Sequence, residues 1–83
     1  MKARALIEGA SFGPETVKAM GAAFDQAWAR VVRIYGDSPD QVEAARLRLA
    51  EAVLSVANDG NTDIAGLKAD ALYAMAKHYG SRA

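Results

Sequence analysis

The sequence predicts an all-α protein, a small three-helix bundle-like domain with a short N-terminal arm. Apolar residues recur at three- and four-residue spacing over three long segments, which is the period of an amphipathic helix. Each segment opens with residues that start helices and closes near a glycine. The 83 residues are 52% hydrophobic, enough for one domain with one core. We therefore predict a single helical domain over residues 12–83.

The first helix is predicted over residues 14–35. Pro14 suits the first helical position, where its missing N–H would have had no partner. With Gly13 as the N-terminal cap, Phe12 and Val17 occupy the two positions of a hydrophobic staple.

The second helix is predicted over residues 39–58. Ser38 is placed as the cap, Pro39 in the first position and Gln41 in the third, which is the pattern of a capping box.

The third helix is predicted over residues 64–79. Asp63 is its expected cap and Gly80 its expected end. Residues 1–11 could form a short helix, an extended arm or a frayed tail. We favour a partly ordered arm, since a terminal segment is usually poorly ordered unless it docks.

The predicted helices carry more apolar surface than a three-helix monomer needs. On the first helix a core stripe comprises Val17, Met20, Phe24, Ala27, Val31 and Ile34. Beside it runs a second stripe of Gly21, Trp28, Val32 and Tyr35. On the second helix Leu47, Ala50, Leu54 and Ala57 widen the apolar arc beyond half the circumference. A helix apolar nearly all round is buried on most sides, so either the arm or another subunit covers the excess.

Two long cations interrupt apolar arcs, Arg46 on the second helix and Lys68 on the third. Such side chains usually lay their stems on apolar surface and keep the charge in water. Glu43 lies three residues before Arg46, at the spacing of a weak local pair, and the sharper alternative for Arg46 is a salt bridge between subunits. The residues predicted to lie at an interface are Trp28, Val32, Tyr35, Arg46, Leu47 and Leu54.

Charge and cysteine content exclude several classes of function. Ten basic residues balance ten acidic ones, so no net field draws the chain to nucleic acid or to an anionic membrane. There is no cysteine, which excludes disulfides and thiolate chemistry. Glu8 interrupts the early apolar run too soon for a signal peptide or a membrane span. The expected location is cytoplasmic.

The segment between the second and third helices has a calcium-loop spacing. Asp59, Asn61 and Asp63 give the opening of an EF-hand loop, and Asp70 falls at its twelfth position. However, Ile64 stands where that loop needs glycine, and an aspartate replaces the bidentate glutamate. The same residues are those that end one helix and cap the next, which is the interpretation we favour over a metal site.

Candidate catalytic chemistry is sparse. His78 is the one histidine, and it lies near the end of the third helix, where a favourable interaction with the helix dipole is its commoner role. A nucleophile, a base and oxyanion donors do not converge anywhere in the sequence, so no catalytic residue and no cofactor are predicted. The arginines that could form a basic patch are interleaved with acidic residues; they are Arg30, Arg33, Arg46 and Arg48.

Three segments carry a resemblance to a known group. They are "AFDQAW" from Ala23, "ARLRLAEAVL" from Ala45 and "GNTDIAGL" from Gly60. In the patterns AFDxAW, ARxxLAxAxL and GxxDxxxL the chain resembles a group of short uncharacterised helical proteins of alphaproteobacteria, over roughly residues 12–75. The resemblance implies no activity. It favours capping over calcium binding, because Asp63 alone of the three loop ligands lies on the pattern.

Together these observations predict a non-enzymatic protein-association module of unknown pathway, associating with itself as a homodimer. The alternatives are a small nucleic-acid-associated regulator and a weak calcium-responsive helical module. A membrane is not an expected partner, and an additional protein partner stays open.

Overall fold

A computed structural model of the chain describes residues 2–35 and 39–79, with side chains described except at residues 2–4, 34, 35, 78 and 79. Within these residues the fold is all-helical, as predicted. The four helices are α1 (Lys2–Glu8), α2 (Pro14–Tyr35), α3 (Pro39–Val56) and α4 (Ile64–Tyr79). The radius of gyration is 12.1 Å, close to the roughly 12 Å expected of a compact domain of this length.

A fourth helix is the main departure from the predicted architecture. Residues 2–8, which belong to the predicted arm, form α1. The helix packs against α3 and α2, and the Ile7 side chain is fully buried. A helix of seven residues is not stable alone in water, so docking of Ile7 is what holds α1 in place. The sequence allows a short helix here without favouring it, because Ile7, the buried residue among the described side chains of α1, sets no helical period alone.

The observed starts of α2, α3 and α4 are those that the sequence predicts. The Gly13 carbonyl accepts the first helical bond of α2, from the Val17 N–H at 3.0 Å. Helix α3 ends at Val56, two residues before the predicted Asn58. The predicted roles of Ser38, Gly36 and Gly80 lie outside the described residues.

Asp63 caps α4 as predicted. Its Oδ1 accepts the Gly66 N–H at 3.1 Å, and its carbonyl accepts the Leu67 N–H at 2.9 Å. A Cβ at position 66 would lie 2.5 Å from Asp63 Oδ2. Glycine therefore leaves room for the capping carboxylate to fold back over the first turn of α4.

The core lies where α2, α3 and α4 meet, since each of these helices packs against the other two. Its largest fully buried side chains are Phe24, Ile7, Met20, Leu49, Leu67 and Val53. Alanines fill the remaining contacts, with Ala23, Ala27, Ala50 and Ala71 fully buried. Small residues let helix axes approach closely. The predicted core stripe of α2 is buried at Met20, Phe24, Ala27 and Val31.

Candidate functional site

The cation of Arg46 lies on the aromatic residues of α2. Its guanidinium carbon Cζ is 5.0 Å from the centroid of the Trp28 ring and 5.6 Å from that of the Phe24 ring. Both distances are within the range of cation–π attraction. Phe24 is buried, with 1% of its surface exposed, whereas Trp28 is half-buried. The two rings hold the guanidinium at the edge of the α2–α3 contact.

Arg46 has an incomplete set of hydrogen bonds. Its Nε is buried and has no acceptor among the described residues. The ion pair between Arg46 and Glu43, which their three-residue spacing allows, is not formed among the described residues. A buried donor without an acceptor costs about 1–3 kcal/mol, which opposes the attraction between the guanidinium and the two rings.

The other predicted interface residues divide into two groups. Trp28, Leu47 and Leu54 are half-buried and pack against the core. Val32 of the second stripe of α2 is half-buried without belonging to that group, and Gly21 of the same stripe is buried. The side chain of Tyr35 lies outside the described part of the chain.

The arm, as α1, covers part of the wide apolar arc of α3. It packs on α3, and Ala50 at the middle of that arc is fully buried. The sequence left open whether the arm or another subunit covers this surface, and for Ala50 the neighbours within the chain suffice. The second stripe of α2 differs, since Trp28 and Val32 remain partly exposed after all four helices have packed.

Three side chains of the candidate calcium loop, those of Asp59, Asn61 and Asp63, each use one oxygen as a hydrogen-bond acceptor. Asn61 Oδ1 accepts the Asp63 N–H at 3.0 Å, and Asp63 Oδ1 caps α4. Asp59 Oδ1 accepts the Gly13 N–H at 3.0 Å, at the start of α2. Among the described residues no group of three or more His, Cys, Asp or Glu side chains is placed to hold a metal ion. The loop therefore works as a set of caps, but Asp59 caps a helix 46 positions away rather than a neighbouring one.

Thr16 completes this contact, although no sequence pattern singles this residue out. It is 3% exposed, which makes it the buried polar residue of the described chain. Its Oγ1 accepts the Gly60 N–H at 2.8 Å and lies 3.5 Å from Asp59 Oδ1. Gly60 has a φ of 93°, a left-handed conformation that favours glycine. We call these four residues, Gly13, Thr16, Asp59 and Gly60, the interhelix tether.

The remaining candidates do not form a chemical site. Arg30, Arg33 and Arg48 are exposed, while Arg46 is half-buried on its aromatic neighbours. The side chain of His78 is outside the described part. An open hollow of about 400 Å³ lies between the end of α1 and the start of α2, lined by Ile7, Glu8, Ala10, Phe12, Pro14, Val17 and Lys18. It contains no polar side chain beyond one carboxylate and one amine.

No described helix is long and apolar enough to cross a membrane. Comparison of the chain with protein-family models, with curated proteins and with solved structures gives no match. The class defined by the fold is therefore that of a small all-helical protein. The resemblance to the alphaproteobacterial group stays a prediction.

Proposed function

We propose that this chain is a non-enzymatic protein-association module that pairs with a second copy of itself. The observation that supports this most is the state of Trp28, a large aromatic side chain that stays half-buried after the four helices have packed. Tryptophan is enriched among the residues that dominate binding energy at interfaces.

The surroundings of Trp28 support the same function. Val32 lies one turn further along α2 and is also half-buried, so the two residues extend an apolar strip along the helix. The net charge is zero, which leaves no overall repulsion between two copies. A symmetric dimer is the simplest closed assembly of such a surface. A cytoplasmic location belongs to the same proposal, as the sequence leads us to expect.

Sedimentation velocity tests this proposal. We expect a dimer at low micromolar concentration. Val32→Glu should weaken the dimer by about tenfold or more, because it buries an unpaired carboxylate at the interface. Gln26→Glu is the matched control, since it adds the same charge to an exposed position on the same helix and should leave the dimer unchanged.

A monodisperse monomer up to high micromolar concentration would contradict the proposal. Equal weakening by Val32→Glu and Gln26→Glu would place the interface elsewhere on the molecule. A monomer that sediments faster when duplex DNA is added would favour the nucleic-acid-associated alternative instead.

A further inference from the structure

We infer that Arg46 binds a carboxylate of the second copy, and that Glu43 of that copy supplies this carboxylate. The inference rests on the proposed self-association and names the polar contact that fixes how the two copies are aligned in the dimer. It starts from a cation that the described part of the chain leaves without an anionic partner.

The guanidinium of Arg46 is already positioned for such a contact. The rings of Trp28 and Phe24 lie 5.0 and 5.6 Å from its Cζ, so the long side chain is ordered before a partner arrives. Side-chain ordering is a main cost of binding, and preorganisation removes much of it. Of the Arg46 nitrogens, Nε is the one that is buried without an acceptor. The two terminal nitrogens therefore present the accessible donors, in a planar fork that matches a carboxylate.

The environment favours a strong interaction. The flat ring of Trp28 beneath the cation is half-buried and would lose its remaining solvent when a partner packs on the second stripe. Charge pairs that are shielded from water are screened less by salt than exposed ones. The partner carboxylate would accept from the two terminal nitrogens of Arg46, whereas the buried Nε would stay without an acceptor.

Symmetry selects Glu43 as the source of the carboxylate. In a two-fold dimer the same patch faces itself, so a contact from residue i to residue j is repeated from j to i. Glu43 is one helical turn before Arg46 on α3, is exposed, and forms no ion pair with a described residue. Two antiparallel copies of this turn would place each Arg46 opposite the Glu43 of the other copy, giving two equivalent contacts.

A double-mutant cycle on the dimer dissociation constant tests the inference. Arg46→Met keeps the apolar stem and removes the charge, and it should raise the Kd by about tenfold or more. Glu43→Gln should raise the Kd to a similar extent in the wild-type chain and have almost no effect in the Arg46→Met chain. Arg46→Lys should also weaken the dimer by several-fold, because an ammonium does not provide two parallel N–H groups.

A second readout separates recognition from a structural role. The thermal midpoint of Arg46→Met, measured below the concentration at which it dimerises, should be unchanged or higher, because the substitution removes the buried unpaired Nε. A lowered midpoint with an unchanged Kd would overturn the inference and assign Arg46 to the monomer. Additive effects of Arg46→Met and Glu43→Gln on the free energy of dimerisation would also overturn the inference. A wild-type chain that is monomeric throughout would instead refute the proposed self-association. Glu51→Gln, on the same helix, is the control and should not couple to Arg46.

Discussion

Replacing Ile7 by alanine should lower the free energy of unfolding by about 2–5 kcal/mol, the range for truncating a buried aliphatic side chain. Ile7 is fully buried and is the anchor by which α1 packs on α3 and α2. The loss includes the cavity left between α1 and the helices against which it packs. Chemical denaturation at constant slope is the appropriate measurement.

Leu6→Ala is the matched control, since the neighbouring side chain is 41% exposed and its truncation should cost much less. If Ile7→Ala and Leu6→Ala lowered the free energy of unfolding by equally small amounts, α1 would be shown to detach from the domain at little cost in free energy. Amide hydrogen exchange of α1 would then be fast in the unmodified chain as well.

Breaking the interhelix tether should have the second-largest effect. Asp59→Ala removes the carboxylate that accepts the Gly13 N–H, and Gly13 has no side chain with which to cap α2 itself. We expect a loss of about 1.5–2 kcal/mol, the lower part of the range for a hydrogen bond to a charged group. Asp59→Asn keeps the acceptor oxygen without the charge, so its free energy of unfolding should lie between those of the unmodified chain and Asp59→Ala. Asp70→Ala, at an exposed carboxylate on α4, should change stability by less than about 0.5 kcal/mol.

The hydroxyl of Thr16 offers an independent probe of the same contact. Thr16→Val conserves shape but leaves the Gly60 N–H without its acceptor, and it should destabilise by about 0.5–1.5 kcal/mol, since Gly60 is exposed and water can bind its N–H. Combined with Asp59→Ala, the loss should be smaller than the sum, because both side chains act in one network. Additive losses would argue against the tether. Stabilisation by millimolar calcium that Asp59→Ala abolishes would support the calcium-responsive alternative instead.

The helix starts could be predicted because their signals are local. Pro14, Pro39 and Asp63 each act within one turn of their own position, and a sequence displays such relations directly. The core stripe of α2 could be predicted for a similar reason, since four of its members are buried at helical spacing.

The parts that escaped prediction depend on contacts between distant segments. Helix α1 exists through the burial of Ile7 against α3, and seven residues are too few to display a period. Asp59 belongs to a loop whose residues suit the end of one helix and the cap of the next, yet its residue type does not reveal that it accepts the N–H of Gly13, 46 positions earlier. One signal was present: a glycine cap at Gly13 gives the start of α2 no side-chain acceptor of its own, which leaves that role to water or to another segment.

For the proposed interface, the sequence indicated the unusual residue but not its neighbours. Arg46 stood out because it interrupts an apolar arc. Its position over Trp28 and Phe24 depends on how α2 and α3 pack, which residue spacing within one helix does not specify.

The interhelix tether also has a consequence for the order of events in folding. It joins the first turn of α2 to the segment just beyond α3, so its partners meet only after those two helices have packed side by side. The loss of chain entropy on closing so long a stretch is therefore offset by apolar contacts of the core before the tether forms. Interactions absent from the transition state change the unfolding rate and leave the folding rate nearly constant. Asp59→Ala should accordingly raise the unfolding rate and give a φ-value near zero in a chevron analysis. The tether would then prolong the lifetime of the folded chain without speeding its folding.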